Sequence, residues 1–301
     1  MELGMIGLGR MGANMAQRLV RGGHRVAGFD FSEESRARSA QNGIEPVASL
    51  AELVAALKTP RVLWLMVPAG APVDQTIDHL LPLLAEGDTL IDGGNSMYKD
   101  TQRRAQCVAE HKIHYVDSGT SGGVWGLKEG YSLMIGGDND VVEWLGPIFA
   151  TLAPAPDRGW GRVGPVGSGH FTKMIHNGIE YGMMQAYAEG FSILEHKQEF
   201  GLDLAQISEI WRHGSVVRSW LLDLIADALT KNPTMQGIAP FVADSGEGRW
   251  TLAEAIELGV STPVIAQSLL ERLRSRDKDS FSDKLLAAMR NQFGGHEIKK
   301  E

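Results

Sequence analysis

Polar side chains recur at helical spacing in one segment of the C-terminal half of the sequence. Those at positions i, i+3, i+4 and i+7 are Lys173, His176, Asn177 and Glu180, and Tyr181 follows directly. If the segment is a helix, the first four fall within an arc of roughly 100°. One face then presents a base, an acid and two hydrogen-bonding groups, as a catalytic helix would. The alternative is a core helix in which Lys173 pairs with Asn177 or with a distant carboxylate.

The opposite arc of this segment holds only small or apolar residues, which are Ile175, Gly178, Ile179 and Gly182. A glycine inside a helix costs about 1 kcal/mol relative to alanine, so something else must favour these two. Close packing against another backbone is one reason, and the approach of a ligand is another. The segment therefore predicts a helix with one chemical face and one closely packed face.

A glycine-rich turn near the N-terminus has the G-x-G-x-x-G spacing. Its residues are Gly7, Leu8, Gly9, Arg10, Met11 and Gly12. It follows an apolar run that predicts a strand and opens an amphipathic stretch that predicts a helix, which is the context of a dinucleotide-binding loop. There the glycines bring the backbone and the helix N-terminus close to a pyrophosphate.

Asp30 closes the second predicted strand and can recognise the adenosine ribose of the dinucleotide. A carboxylate there accepts hydrogen bonds from the ribose hydroxyls and repels a 2′-phosphate. This favours NAD over NADP. NADP is the alternative cofactor, because Arg36 and Arg38 are nearby, on the expected next helix.

Three other loops follow predicted strands, at the sheet edge where open parallel sheets bind ligands. They span residues 66–70, 92–96 and 118–123. The first contains Val67 and Pro68 and is expected to run beside the cofactor. In the second, Asn95 is expected beside the nicotinamide, where it can bond a substrate hydroxyl. The third contains Ser121–Gly123, whose successive N–H groups suit a carboxylate. The alternative for each loop is a flexible connection.

Strand–helix alternation over the first half predicts a Rossmann-type, doubly wound parallel sheet. The predicted strands span residues 3–6, 25–30, 62–67, 89–91, 114–116 and 132–135. Helical periodicity dominates afterwards, with predicted helices at residues 204–212, 219–229, 251–258, 263–274 and 281–293. We therefore expect a dinucleotide-binding domain at residues 1–165 and an all-helical substrate and dimerisation domain at residues 166–301. A glycine-rich joint is expected at residues 159–169.

Composition excludes several classes of function. A net charge of −8 leaves no general basic surface for nucleic acid. Cys107 is the only cysteine, which rules out an intrachain disulfide and a thiolate metal cluster. No targeting segment and no apolar run of about 18 residues is visible. We expect a cytoplasmic protein that binds neither nucleic acid nor a membrane.

Taken together, these motifs resemble the 6-phosphogluconate dehydrogenases in their short form, and more widely the β-hydroxyacid dehydrogenases. The specific similarities lie in residues 91–96, 173–181 and 290–296. A generic β-hydroxyacid dehydrogenase would share Ser121–Gly123, Lys173 and Asn177, but not the His-Asn-Gly-Ile-Glu-Tyr run that begins at His176.

The resemblance implies oxidative decarboxylation of 6-phosphogluconate to ribulose 5-phosphate and CO2, with hydride transfer to NAD(P). It implies that Lys173 is the general base and Glu180 the general acid. Lys173 must then be neutral, so burial or neighbouring cations must lower its pKa from about 10.4. No metal is implied, because the β-keto group of the oxidised substrate can accept the electrons that departing CO2 leaves behind.

The substrate-binding residues implied by the resemblance are Asn95, Ser121, Gly122, Gly123, His176, Asn177, Tyr181, Arg272, Arg290 and His296. Within this set, Tyr181 and Arg272 would bind the phosphate. Arg290 and His296 resemble tail residues that reach the active site of a partner subunit, which implies a homo-oligomer that is at least a dimer.

Two positions depart from the long-form enzymes, which carry a lysine and a threonine where this chain has Ser245 and Glu247. Both lie near the phosphate in that family, and a carboxylate at Glu247 would oppose it. One alternative is a dehydrogenase of a small β-hydroxyacid such as 3-hydroxyisobutyrate, which needs no phosphate site, so Tyr181, Arg272 and Arg290 discriminate against it. Another is a non-catalytic dinucleotide sensor, which would be expected to have lost Lys173 or Glu180.

Overall fold

The computed structural model describes residues 1–299 and divides the chain into two compact units, Met1–His176 and Asn177–Glu301. The first unit contains one eight-stranded sheet. Its strands are β1 Glu2–Ile6, β2 Arg25–Phe29, β3 Glu45–Pro46, β4 Val62–Leu65, β5 Thr89–Asp92, β6 His114–Ser121, β7 Ser132–Gly136 and β8 Trp160–Gly164. The strand order is β3-β2-β1-β4-β5-β6-β7-β8, and all neighbours except β6 and β7 run parallel.

The helices of this unit lie between the strands along the chain. They are α1 Arg10–Arg21, α2 Glu33–Ala40, α3 Leu50–Ala55, α4 Ala71–Leu80, α5 Tyr98–Ala109, α6 Gly126–Glu129, α7 Asn139–Trp144 and α8 Gly146–Leu152. Side chains alternate between the two faces of a strand, so each face of the sheet has its own core. Val62 and Trp64 of β4 pack in a cluster with α1 and α8, whereas Leu63 and Leu65 pack in a cluster with α3 and α4. The doubly wound sheet predicted from the sequence is confirmed.

The structure corrects the prediction at the far edge of the sheet. Strand β7 is antiparallel to β6, because only the short segment between Ser121 and Ser132 joins them and a parallel return needs a longer crossover. The expected loop at residues 118–123 is therefore wrong in its first four residues, which belong to β6.

The predicted glycine-rich joint is wrong over residues 160–164, which form β8 and pair with β7. The glycines of this segment gave no strand pattern in the sequence. The strand is stabilised by its backbone hydrogen bonds to β7 and by Trp160, whose ring centroid lies 5.7 Å from that of Phe149.

One long helix, α9 Ser168–His196, begins in the first unit and continues into the second. The predicted domain boundary at residues 165 and 166 stays a prediction. Up to residue 299, five α-helices follow, which are α10 Leu204–Arg212, α11 Trp220–Lys231, α12 Glu247–Glu257, α13 Pro263–Arg274 and α14 Phe281–Gly294. Serine or aspartate side chains cap three of them by accepting a backbone N–H, at Asp203, Ser219 and Ser280.

The glycines of α9 and of its neighbouring elements permit close packing within each unit. A Cβ on Gly169 would lie 2.5 Å from the Met134 carbonyl of β7, and a Cβ on Gly119 of β6 would lie 2.5 Å from Lys173 Cβ. In the second unit a Cβ on Gly178 would lie 2.6 Å from the Thr251 methyl group of α12. Close helix packing at Gly178 agrees with the sequence prediction, but Ile179 is wrong as a packing residue because it is 52% exposed.

Replacement of Gly119 by alanine tests the packing of α9 on the sheet. We expect the added methyl group to destabilise the protein by about 1–3 kcal/mol, because Lys173 Cβ and the Gly169 carbonyl occupy its space. Differential scanning calorimetry should show a lower melting temperature. The matched control is Gly161→Ala in β8, where a Cβ meets no atom within 4 Å. Equal melting temperatures for the two variants would contradict the packing argument.

Candidate active site

The glycine turn between β1 and α1 has the geometry of a dinucleotide loop. Gly7 has a φ of +93°, and a Cβ on it would lie 2.5 Å from the Met66 carbonyl. A Cβ on Gly12 would lie 1.9 Å from the Gly7 carbonyl, so the third glycine lets α1 approach β1. By contrast, Gly9 is exposed, and a Cβ on it would meet no atom within 4 Å, so a ligand has room there. The first turn of α1 carries no acidic residue that would repel an anion. The turn therefore fits a pyrophosphate.

Asp30 directly follows β2 and is tied to this turn. Its Oδ2 accepts the Leu8 N–H at 2.7 Å, and its Oδ1 accepts the Ser32 N–H at 2.8 Å. Each carboxylate oxygen has further acceptor capacity, so both can still accept ribose hydroxyls. Arg36 lies on α2, as expected, and donates to the Asp30 carbonyl at 2.6 Å.

A buried carboxylate holds the start of α9. Asp117 of β6 is 0% exposed, and its two oxygens accept the Gly167 N–H at 2.7 Å and the His170 N–H at 2.8 Å. Burial raises the pKa of Asp117, and the nearby His170 and these two N–H donors oppose that rise. His170 is buried as well, and its Nδ1 lies 2.7 Å from the Thr101 hydroxyl of α5. The helix start is thus fixed to β6 and faces α5.

Lys173 follows this anchored turn and is 7% exposed. Lys173 packs on Gly119, because a Cβ on that glycine would lie 2.5 Å from Lys173 Cβ. Gly119 lies near the end of β6, two residues before Ser121. His176, one turn later, is half-buried. The Lys173 side chain is therefore buried next to the strand that ends at Ser121.

The backbone after β6 turns sharply at two consecutive glycines. Gly122 has a φ of +134° and Gly123 a φ of +51°, which are conformations that favour glycine over other residues. Gly123 is exposed, and Ser121 and Gly122 are half-buried. Residues 121–123 thus form a partly exposed glycine turn, which begins two residues beyond the position where β6 packs on Lys173.

The loops after β4 and β5 present the remaining candidates of the first unit. Val67 is half-buried and Pro68 is exposed. Asn95 is exposed between two residues that bind the Asp92 carboxylate: the Gly94 N–H at 3.1 Å and the Ser96 hydroxyl at 2.7 Å. The flanking bonds fix the backbone while the Asn95 side chain stays accessible.

In the second unit, Asn177 of α9 meets a carboxylate. Its side-chain amide donates to Glu247, the first residue of α12, and both side chains are buried. Glu247, which the family resemblance implies lies near the phosphate, thus accepts a hydrogen bond from Asn177. Glu180, one turn further along α9, is half-buried.

Tyr181 contacts both Ser245 and Arg272, the other residue expected to bind the phosphate. Its hydroxyl lies 3.3 Å from the Ser245 hydroxyl and accepts the Ser245 N–H at 3.2 Å. The Arg272 guanidinium stacks on the Tyr181 ring with its central carbon 3.5 Å from the ring centroid. Gly248 permits this arrangement, because a Cβ there would lie 2.7 Å from the ring.

Two more arginines surround the same segment. Asp244 accepts from Arg249 at 3.1 Å and from Arg276 at 2.7 Å. The hydrogen bond from Arg249, with a further one from Arg276, lowers the pKa of Asp244 to about 2. Asp244 is therefore ionised at neutral pH and neutralises part of this cationic cluster.

The last two candidates lie at the C-terminal end. Arg290 is exposed on α14, and His296 is exposed one residue beyond Gly295, which caps that helix with a φ of +62°. The Asn291 amide donates to the His296 carbonyl at 2.9 Å.

The described residues contain neither a cluster of metal-ligating side chains nor a helix that could span a membrane. Within residues 1–299, no three His, Cys, Asp or Glu side chains are grouped so that they could hold a metal ion. Over the same residues, no helix has both the length and the hydrophobicity that crossing a membrane requires.

Comparison with known proteins decides the family. The model of the NAD binding domain of 6-phosphogluconate dehydrogenase matches residues 2–161, and that of the 6-phosphogluconate dehydrogenase C-terminal domain matches residues 169–284. The chain belongs to the 6-phosphogluconate dehydrogenase family. The resemblance predicted from the sequence is thereby confirmed.

Individual members of the 6-phosphogluconate dehydrogenase family are similar over most of the chain. A Haloferax volcanii protein named 6-phosphogluconate dehydrogenase, NAD(+)-dependent, decarboxylating, is 44% identical over 302 residues, which cover 100% of this chain and 99% of that one. A Bacillus subtilis enzyme named as NADP(+)-dependent is 38% identical over 92% of this chain, which spans only 62% of its length. The solved structure of Plasmodium falciparum 6-phosphogluconate dehydrogenase has a TM-score of 0.83 at 29% identity and covers 100% of this chain and 66% of its own.

Two residues that organise the candidate site were not predicted from the sequence. Asp92 and Asp117 are fully buried or nearly so. Asp92 accepts the Gly94 N–H beside Asn95, and Asp117 accepts the N–H groups of Gly167 and His170 at the start of α9. A carboxylate inside or at the end of an apolar strand was the available signal, because it must find donors when it is buried.

Proposed function

We propose that this chain catalyses the oxidative decarboxylation of 6-phosphogluconate to ribulose 5-phosphate and CO2, with NAD as the preferred hydride acceptor. The observation that carries the proposal is α9, which presents Lys173, His176, Asn177, Glu180 and Tyr181 on one helix whose start is fixed to β6 by Asp117. The name of the Haloferax volcanii relative supports the same reaction.

Lys173 is the proposed general base. As a neutral amine, it takes the proton of the C3 hydroxyl while the hydride leaves C3. When bound, the nicotinamide supplies the acceptor for that hydride. The product is a β-keto acid, and protonated Lys173 then stabilises the enolate oxygen that forms as CO2 leaves. Glu180 protonates C1 of the enediol as the general acid.

The substrate contacts follow from the chemistry of each group. We assign the carboxylate and hydroxyls of the sugar acid to Asn95, Ser121, Gly122, Gly123, His176 and Asn177. We assign the phosphate to Tyr181 and Arg272, whose stacked side chains can bind it through a hydroxyl and a guanidinium. Arg290 and His296 are assigned to the active site of a partner subunit.

The proposed cofactor contacts are Gly7, Leu8, Gly9, Arg10, Met11, Gly12, Asp30, Val67, Pro68 and Asn95. NAD is favoured because the Asp30 carboxylate lies at the end of β2, beside the glycine turn, where it would repel a 2′-phosphate. We further propose that residues 1–165 form the cofactor domain and residues 166–301 the substrate and dimerisation domain of a cytoplasmic enzyme.

The proposed homodimer is supported by apolar side chains on α13 and α14. The exposed ones are Val264, Leu270, Phe281, Leu285, Leu286 and Met289, and Phe281 is 75% exposed. Such a concentration of exposed apolar residues is typical of a protein interface.

A spectrophotometric assay with a Lys173→Met variant tests the function. The unaltered protein should form reduced cofactor from 6-phosphogluconate with one CO2 for each turnover. Lys173→Met should lower kcat by about 10²–10⁴-fold, the range for loss of a general base, with cofactor binding unchanged. The control Lys128→Met removes an exposed lysine of the same unit and should keep full activity.

Two outcomes would contradict this account. Turnover of an unphosphorylated β-hydroxyacid such as 3-hydroxyisobutyrate, with none of 6-phosphogluconate, would replace the proposed substrate. Comparable kcat values for Lys173→Met and the unaltered protein would remove Lys173 as the base.

The cofactor preference is tested by Asp30→Ala. We expect the dissociation constant for NAD to rise more than that for NADP, because only NAD keeps the ribose hydroxyl that the carboxylate recognises. Both dissociation constants are measured by titration calorimetry. Loss of the hydrogen bond from Leu8 affects both of them alike, so it does not change their ratio. An unchanged ratio would rule out discrimination by Asp30.

The oligomer is tested by light scattering. The unaltered chain of 32.7 kDa should have at least twice that mass in solution. Phe281→Asp combined with Leu285→Asp should shift the mass towards the monomer, because two charges would be buried in the interface. The control Phe31→Asp alters an exposed aromatic residue of the first unit and should leave the mass unchanged. A monomeric unaltered protein would refute the proposal.

A further inference from the structure

Arg104 is a buried cation that belongs to none of the assigned contacts. It lies on α5 and is 2% exposed. Removing a guanidinium from water is costly unless its N–H groups find acceptors, so a buried arginine marks a fixed arrangement of several groups. The acceptors of Arg104 come from the loop after β4, from the loop after β5 and from α4.

On one side, Arg104 holds the end of the loop that begins at residue 66. Its Nη2 donates to the Gly70 carbonyl at 3.1 Å. Its Nε and Nη2 donate to the Asp74 carboxylate of α4 at 2.9 and 3.2 Å, so that α4 and the preceding loop are fixed together. Val67 and Pro68, the proposed cofactor contacts, lie in this loop.

On the other side, Arg104 supports the loop that carries Asn95. Its Nη1 donates to the Ser96 hydroxyl at 3.3 Å and lies 3.7 Å from Asp92 Oδ2. The Ser96 hydroxyl donates to the same Asp92 oxygen at 2.7 Å, and the Tyr115 hydroxyl donates to it at 3.2 Å. This buried network lies directly behind the exposed Asn95.

We propose that Arg104 is a positioning residue that fixes the cofactor loop at residues 66–70 relative to Asn95. The inference rests on the proposed function, in which one loop contacts the nicotinamide cofactor and the other the substrate. One planar guanidinium reaches both loops at once, which the single ammonium group of a lysine cannot do. Its role is to align the carbon that loses the hydride, since misplacement by about 1 Å can lower a rate by about 10²-fold.

The neighbouring Arg103 offers a matched control. It also donates to Asp74, at 2.9 Å, but its side chain is 58% exposed, and no bond to Gly70 or Ser96 is among its contacts in the described part of the chain. Arg103→Lys and Arg104→Lys therefore remove the same chemical group beside the same carboxylate. Only the second disconnects the two loops.

The experiment compares both variants with 6-phosphogluconate that carries hydrogen or deuterium at C3. Arg104→Lys should lower kcat by about 10–100-fold with KM and the cofactor dissociation constant changed less than about threefold. Its deuterium isotope effect on kcat should exceed that of the unaltered enzyme, because hydride transfer becomes slower than the other steps. Partial unfolding lowers kcat without altering the isotope effect, so this readout separates positioning from stability. Arg103→Lys should match the unaltered enzyme in all four quantities.

Ser96→Ala keeps the test decisive if Arg104→Lys does not fold. It removes the hydrogen bond from Arg104 to the Asn95 loop and the bond from Ser96 to Asp92, while the contacts of Arg104 with Gly70, Asp74 and Asp92 remain. It should raise the isotope effect with a smaller loss of kcat. An unchanged isotope effect in every folded variant, or equal losses for Arg103→Lys and Arg104→Lys, would overturn the inference. If the unaltered protein instead oxidises another β-hydroxyacid, the proposed function fails, and the same comparison with that substrate deuterated at its hydroxyl carbon still tests Arg104.

Discussion

The close approach of α9 to the sheet is the constraint on which the candidate site depends. Gly169 and Gly119 allow the helix and β6 to touch backbone to backbone, and Asp117 binds two N–H groups at the helix start. Burial of a carboxylate is costly, and here those N–H donors compensate for it. As a result the Lys173 side chain leaves a fixed turn and is buried beside β6, at the position that the proposed function assigns to the base.

The same principle recurs at the other strand ends. Asp30 binds the glycine turn after β1, and Asp92 binds the loop that carries Asn95. In each case a carboxylate at or near the end of a strand accepts backbone N–H groups and fixes a loop, while an adjacent group stays accessible to a ligand. The sheet therefore does more than support the site, because its own acidic residues set the conformation of the loops.

Local patterns account for what could be predicted from the sequence. The spacing of Gly7, Gly9 and Gly12 and the 3.6-residue period of α9 depend only on neighbouring residues, and both elements form as expected. Strand β8 forms by pairing with β7, and its glycine-rich composition gave no strand pattern. The reversed direction of β7 follows from the short connection to β6, which a pattern of alternating strands and helices does not take into account. Arg104 could not be recognised either, since its acceptors at Gly70, Asp74 and Ser96 lie 34, 30 and 8 residues away.

The most direct test of the account is a crystal structure of the protein with reduced NAD and 6-phosphogluconate bound together. We predict that Lys173 Nζ lies within about 3.2 Å of the C3 hydroxyl oxygen, the reach of a general base, and that Asn95 contacts the same substrate molecule. A C3 hydroxyl beyond hydrogen-bond reach of Lys173, with the amine directed elsewhere, would contradict the central claim.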